Sequence, residues 1–166
     1  MVVTTMKKSV KKQVLFFVSL LFLLPVSVSA QYVSREVDMA ITGIASELDG
    51  SQTVRVSGEG RNRSDVREQC LKNAVYAFLF MGVHSGKVNA MPLVSKAEHR
   101  KHQEYFDSFF EDGGEYRKYA SWADKRMFSN VRSKDKIQRR YEMTVRVLVS
   151  KLRSRLKEDG ITVYEL

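Results

Sequence analysis

The sequence predicts an α+β domain: a small, mostly antiparallel sheet with helices packed on one face. Three stretches carry that prediction. Residues 53–57 alternate, Val54 and Val56 against Arg55 and Ser57, with the period of a half-buried strand. Residues 137–150 alternate over a longer run. Tyr141, Met143, Val145, Val147 and Val149 fall on one side, and Arg140, Glu142, Thr144, Arg146 and Leu148 on the other. Between these runs, Val66, Cys70, Ala74, Ala77, Phe78 and Met81 recur at steps of three and four, the apolar stripe of a helix. A sheet with one apolar face needs cover on that face, and this helix has the longest stripe to supply it.

The chain opens differently. Lys7, Lys8, Lys11 and Lys12 precede an apolar run of residues 14–24, Pro25 breaks it, and Val28-Ser29-Ala30 supplies the small residues read before cleavage at Gln31. Residues 1–30 therefore read as a cleavable signal peptide. Eleven residues rise only about 16 Å as a helix, against a hydrocarbon core of about 30 Å, so the run is too short to anchor the chain. No cysteine stands at the cleavage site, so lipid attachment there is not expected. Residues 31–166 form one domain, large enough for a core. No transmembrane segment is expected in it. The four lysines lie in the leader, which leaves 24 basic and 19 acidic residues in the mature part. That mild, scattered excess suits contact with anionic surfaces and excludes a dedicated nucleic-acid footprint. Cys70 is the only cysteine, so stability in an oxidising compartment rests on packing.

Taken in order, residues 36–41 alternate as a short strand, with turns at Thr42-Gly43 and Asp49-Gly50. The strand at residues 53–57 runs into Gly58-Glu59-Gly60, read as a glycine turn, and Ser64 or Asp65 caps the following helix, which ends near Gly82. Residues 83–93 read as a loop. A second helix is expected over residues 94–111, polar in its first half and aromatic at its end, stopped by Asp112-Gly113-Gly114. Residues 115–131 read as an extended segment that becomes a strand near 127–132. Ser133-Lys134-Asp135-Lys136 turns the chain into the 137–150 strand, making a hairpin. Residues 151–159 form a helix with Leu152 and Leu156 inward, closed by Gly160, and 161–164 return as an edge strand.

Four chemical candidates stand out. Gly58 and Gly60 beside Arg61 and Arg63, before a helix, could take an anion; Arg63 stands where a dinucleotide fingerprint needs a third glycine, so a tight structural turn is the plainer reading. His99 and His102 lie three apart with Glu98, Glu104 and Asp107 near, without the zincin spacing, so a solvated charged helix face is expected and a hydrolase using these histidines is the alternative. Cys70 lies on the apolar stripe, where a thiol is a poor nucleophile. Lys134, Lys136, Arg139 and Arg140 cluster at the hairpin and form a candidate interaction surface, with the aromatic stretch of residues 105–119 as a second. No cofactor or metal is expected.

The run VRVSGEGRNRSDVREQCLKNAVYAFL resembles the strand–GxG–helix opening of the N-terminal domain of the flagellar assembly protein FlgT and of related small surface lipoproteins of bacterial envelopes. In those families a V-x-G-x-G strand end leads into a helix of the type A-R-x-x-A-x-x-x-A. Val66 and Cys70 stand at its first two Ala-like positions and Ala74 at the third. A later strand entering a Leu-rich final helix is matched by YEMTVRVLVSKLRSRL. The resemblance covers residues 52–80 and 140–156. It implies a non-enzymatic envelope module that docks onto other proteins, and it brings no catalytic residues with it. The expectation is thus an exported protein of the periplasm or cell envelope with a binding or assembly role. Its partner would be an envelope protein or an anionic surface component, not nucleic acid. A periplasmic module binding a small ligand or anion, and a hydrolase, are the alternatives.

Overall fold

Four strands form one antiparallel sheet: β1 (Ile41–Ser46), β2 (Gln52–Gly60), β5 (Ala120–Ser129) and β6 (Arg139–Val147), in the order β1-β2-β6-β5. The computed structural model describes residues 39–129 and 139–164. Helix α1 (Arg63–Tyr76) lies across one face of this sheet. A two-stranded hairpin, β3 (Val83–Ser85) with β4 (Val88–Ala90), stands beside β1, where the Lys87 N–H donates to the Gly43 carbonyl at 3.0 Å. The α+β architecture expected from the alternation is the one observed.

The two central strands follow the alternation closely. Val54 pairs with Val145 and Val56 with Met143, and all four side chains are essentially sealed from solvent. Each such side chain stabilises the fold by about 1.5–3 kcal/mol through removal from water. Strands β5 and β6 pair antiparallel as expected; the turn read at Ser133-Lys134-Asp135-Lys136 lies outside the described residues. The pairing slips between Trp122 and Met127, where five steps on β5 match two on β6.

Gly58-Glu59-Gly60 is a correction. These residues are no turn; they are the last rungs of β2, paired with Tyr141, Arg140 and Arg139. Neither glycine takes a positive φ. Their smallness serves a close approach instead. A Cβ at Gly58 would lie 2.7 Å from Cys70 Sγ and 2.9 Å from the Val66 carbonyl oxygen, and one at Gly60 would lie 2.7 Å from the Val66 amide nitrogen. The first two turns of α1 rest on a bare strand end.

The helix start also differs. Asn62, not Ser64 or Asp65, is the cap: its Oδ1 accepts from the amides of Ser64 at 2.8 Å and Asp65 at 3.0 Å. Val66, Cys70, Ala74, Ala77 and Phe78 are buried as the stripe predicts. Met81 is not; it is 45% exposed. Residues Ala77–Met81 widen into a π turn, closed by the Gly82 amide donating to the Ala77 carbonyl at 2.8 Å. The extra residue per turn carries Phe78 and Leu79 inward and rotates Met81 out of the stripe.

The first strand lies later than expected. The chain runs straight through Thr42-Gly43 as β1, with a bulge between Gly43 and Ala45; residues 36–38 lie outside the described part. The turn at Asp49-Gly50 is present, with Gly50 at φ 75°. Residues 83–93, expected as a loop, contain the β3–β4 hairpin. The helix expected over residues 94–111 breaks at His102 into α2 (Lys96–Lys101) and α3 (Gln103–Phe109). The break has a packing reason: α2 buries nothing, whereas α3 turns Phe106 and Phe109 into the core. Residues Glu115–Lys118 form a short 3-10 turn, and β5 begins at Ala120, earlier than the alternation indicated.

Helix α4 (Val149–Glu158) starts within the stretch read as strand. Val149 is buried in the helix, and Leu152 and Leu156 point inward as expected. Residues 161–164 are not a strand; Ile161 is buried and the Tyr164 amide donates to the Leu93 carbonyl at 2.9 Å. The aromatic stretch of residues 105–119 is core for the most part, not surface. Phe106, Phe109, Phe110, Tyr116 and Tyr119 are buried. Phe80 meets Phe106 at 4.9 Å between centroids and Phe110 meets Tyr116 at 5.9 Å, ordinary aromatic pair distances.

Candidate interaction surface

Because β-side chains alternate, every residue that buries Val54, Val56, Met143, Val145 and Val147 under α1 sends its neighbour to the opposite face. The register defines that second face. Thr53 stands opposite Arg146, Arg55 opposite Thr144, Ser57 opposite Glu142 and Glu59 opposite Arg140. Thr42 of β1 joins the Arg55 rung, Ser121 of β5 the Arg146 rung and Phe128 the Glu142 rung. Three arginines from two neighbouring strands therefore share one face with an aromatic ring. Thr53, Ser57 and Thr144, short polar side chains of the same face, are buried.

Two of the arginines are paired. Arg146 reaches Asp49 Oδ2 at 2.8 Å and donates from Nε to Ser51 Oγ at 2.8 Å. Ser51 also donates to Asp49, from its hydroxyl at 2.6 Å and its amide at 2.9 Å. These Ser51 bonds, with Arg146 adding to them, hold the Asp49 carboxyl below the usual carboxylate range. Arg140 lies 3.6 Å from Glu59 Oε1 and donates to Ser57 Oγ at 3.4 Å. Arg55 differs. Its guanidinium carbon sits 4.5 Å from the centre of the Phe128 ring, and its Nε is buried without a hydrogen-bond partner among the described residues. Arg126, held by Asp124 at 2.6 Å, approaches the same ring at 5.7 Å. A cation over an aromatic face contributes about 0.5–2 kcal/mol, whereas an unsatisfied buried donor costs about 1–3 kcal/mol. The ring orients Arg55 but does not satisfy it.

The predicted hairpin surface joins this face only in part. Arg140 lies on it; Arg139 opens β6 opposite Gly60; Lys134 and Lys136 lie outside the described residues. Gly58, Gly60, Arg61 and Arg63 do not gather around an open cradle. The glycines are inside β2, and the amides of Ser64, Asp65 and Val66 are taken by the Asn62 side chain and carbonyl. Arg61 is 87% exposed and lies 3.8 Å from Asp65; Arg63 is the exposed first residue of α1.

His99 and His102 go to different partners. His99 stacks on Phe80 at 4.0 Å and meets Phe106 edge-on at 5.3 Å. Burial there lowers its pKa below the ordinary value, with Asp107 pulling the other way. His102 Nε2 lies 3.0 Å from Glu98 Oε1, the distance of an ion pair, outside hydrogen-bond alignment. Among the described residues no three of His, Cys, Asp and Glu converge as a metal site. Cys70 is sealed against the sheet, its Sγ 3.6 Å from the Val56 carbonyl oxygen, and burial pushes its thiol up to about 12. Among the described residues no helix is long and apolar enough to cross a membrane.

Comparison with protein-family models, curated proteins and solved structures finds no match to this chain. Arg55, Arg146 and Phe128 are members of the face that do not stand out in the sequence as site residues. The signal for Arg55 was present, since it alternates away from Val54 and Val56. Phe128 could not be placed without knowing that β5 slips by several residues against β6.

Proposed function

We propose that this is an exported protein of the bacterial cell envelope that acts by binding a partner, with the polar face of the four-stranded sheet as its contact surface. The observation that carries the reading is the asymmetry of the sheet. One face is consumed by the core under α1. The other holds Arg55, Arg140 and Arg146 beside Phe128. Arginine and aromatic side chains are the types most enriched at binding surfaces. The basic cluster Lys134, Lys136, Arg139 and Arg140 continues the run of charge in sequence next to this face. Export is supported by the lysine-rich start, the short apolar run and Val28-Ser29-Ala30. The resemblance of residues 52–80 to FlgT-type envelope modules points to docking on another protein in preference to catalysis.

The test is fractionation of cells carrying the full chain, with N-terminal sequencing of the product and crosslinking in the intact envelope. The reading expects a mature chain starting at Gln31 in the envelope fraction, crosslinked to one defined partner. A full-length cytoplasmic product, or a mature chain that diffuses as a monomer without any adduct, would count against it.

A further inference from the structure

We infer that Arg55 is the anchor for a single carboxylate on an acidic side chain of a partner protein docked on the polar sheet face; this rests on the binding role proposed above. Three features lead there. First, Arg55 is the arginine of this face that lacks an acid among the described residues. Arg140 has Glu59 and Arg146 has Asp49 within ion-pair distance, whereas the contact made by the Arg55 guanidinium is with Phe128. Glu142 stands one rung along, opposite Ser57, and has a partner of its own. Among the described residues the Arg55 charge therefore has an aromatic ring beside it and no counter-charge.

Second, the Phe128 ring holds the guanidinium by its flat face. With Nε buried, the two terminal Nη groups are the parallel N–H donors that stacking leaves to match the two oxygens of a carboxylate. Third, the neighbours select the kind of anion. Glu59 and Asp49 already hold Arg140 and Arg146, and Glu142 stands one rung from Arg55, so a polyanion laid across the face would have to displace paired carboxylates to reach more than Arg55. A mixed-charge protein segment with one acid opposite Arg55 needs no such displacement. The pattern of alternating sign therefore favours a protein partner over an anionic polymer.

The experiment uses the mature chain and a short peptide carrying one Glu between two Lys, with the Gln version as control and inorganic polyphosphate as competitor. The readout is the Arg55 Nε–H resonance. The Glu peptide is expected to shift it saturably and the Gln peptide to leave it in place. Arg55→Gln should weaken binding by about tenfold or more, and Arg55→Lys, which keeps the charge without the fork, should weaken it several-fold. Thermal unfolding checks that both variants fold. Equal binding of the Gln peptide, unchanged affinity in a folded Arg55→Gln chain, or polyphosphate outcompeting the Glu peptide would each overturn the assignment. Photocrosslinking from Thr42 and Ser121 in the envelope separates this from the role beneath it. An adduct that survives Arg55→Gln removes Arg55 as the anchor and leaves the binding role standing; no adduct even with Arg55 intact removes both.

Discussion

Placing a methyl group on Gly58 measures how closely α1 lies on the sheet. The Cβ of Gly58→Ala would sit 2.7 Å from Cys70 Sγ, 2.9 Å from the Val66 carbonyl oxygen and 3.0 Å from the Cys70 amide nitrogen. Comfortable contacts between non-bonded heavy atoms begin near 3.5 Å, so each is short by about half an ångström or more. Two of the three atoms are helix backbone, which no side-chain rotation can clear. The helix must shift, and overpacking of that kind costs about 1–3 kcal/mol. Alanine is better than glycine in a strand by about 0.5–1 kcal/mol, which offsets part of it. The expected net loss is about 1–2 kcal/mol, read as a urea midpoint lower by roughly 0.5–1 M. Gly60→Ala, aimed at the Val66 amide nitrogen at 2.7 Å, should behave alike. Combining Gly58→Ala with Cys70→Ala removes the sulfur but not the carbonyl, so the pair should couple by about 0.5 kcal/mol or more. An unchanged or raised midpoint in both single variants would refute the close-approach account of these glycines.

Asn62→Ala removes the acceptor for two amides at the start of α1 and should cost about 1 kcal/mol in denaturant unfolding, with Asn62→Asp close to neutral. The Cys70 thiol should resist a thiol reagent at mildly alkaline pH until the chain unfolds. Because its folded pKa is raised from 9.0 to about 12, stability is full below the ordinary thiol value and falls as pH rises through that window; Cys70→Ala should flatten the fall. His99 has the opposite sign. Its folded pKa is lowered from 6.5, so the stability it contributes is present above that value and is lost as pH falls below it. Midpoints measured from about pH 7 to about pH 5 should fall more steeply for the native chain than for His99→Phe, and parallel profiles would contradict the burial of a neutral ring.

The elements legible in the sequence were those whose pattern is local. Val54 and Val56, the long alternation around Met143 and Val145, and the stripe from Val66 to Phe78 each announce one buried face, and the structure buries that face. What was illegible depends on contacts between distant segments. Gly58 and Gly60 look like a turn along the chain, and only the helix lying over them reveals why no Cβ is there. Met81 continues a regular stripe on paper, yet a π turn rotates it out. The break at His102 answers to the core that Phe106 and Phe109 enter, which no window of residues 94–111 contains. The candidate face shows the same limit. Arg140 was visible as part of a basic cluster, but its grouping with Arg55, Arg146 and Phe128 is a matter of register across three strands.

Site-specific photocrosslinking in the intact envelope reads directly which side of the sheet meets a partner. Thr42 and Ser121 are exposed and share the face of Arg55 and Arg146, whereas Arg67 is exposed on α1, across the sheet from them. A photoreactive residue at Thr42 and at Ser121 should each give the same discrete adduct, and one at Arg67 should give none. Adducts from Arg67 with none from Thr42 or Ser121 would place the contact on the helical side and contradict the assignment of the polar face.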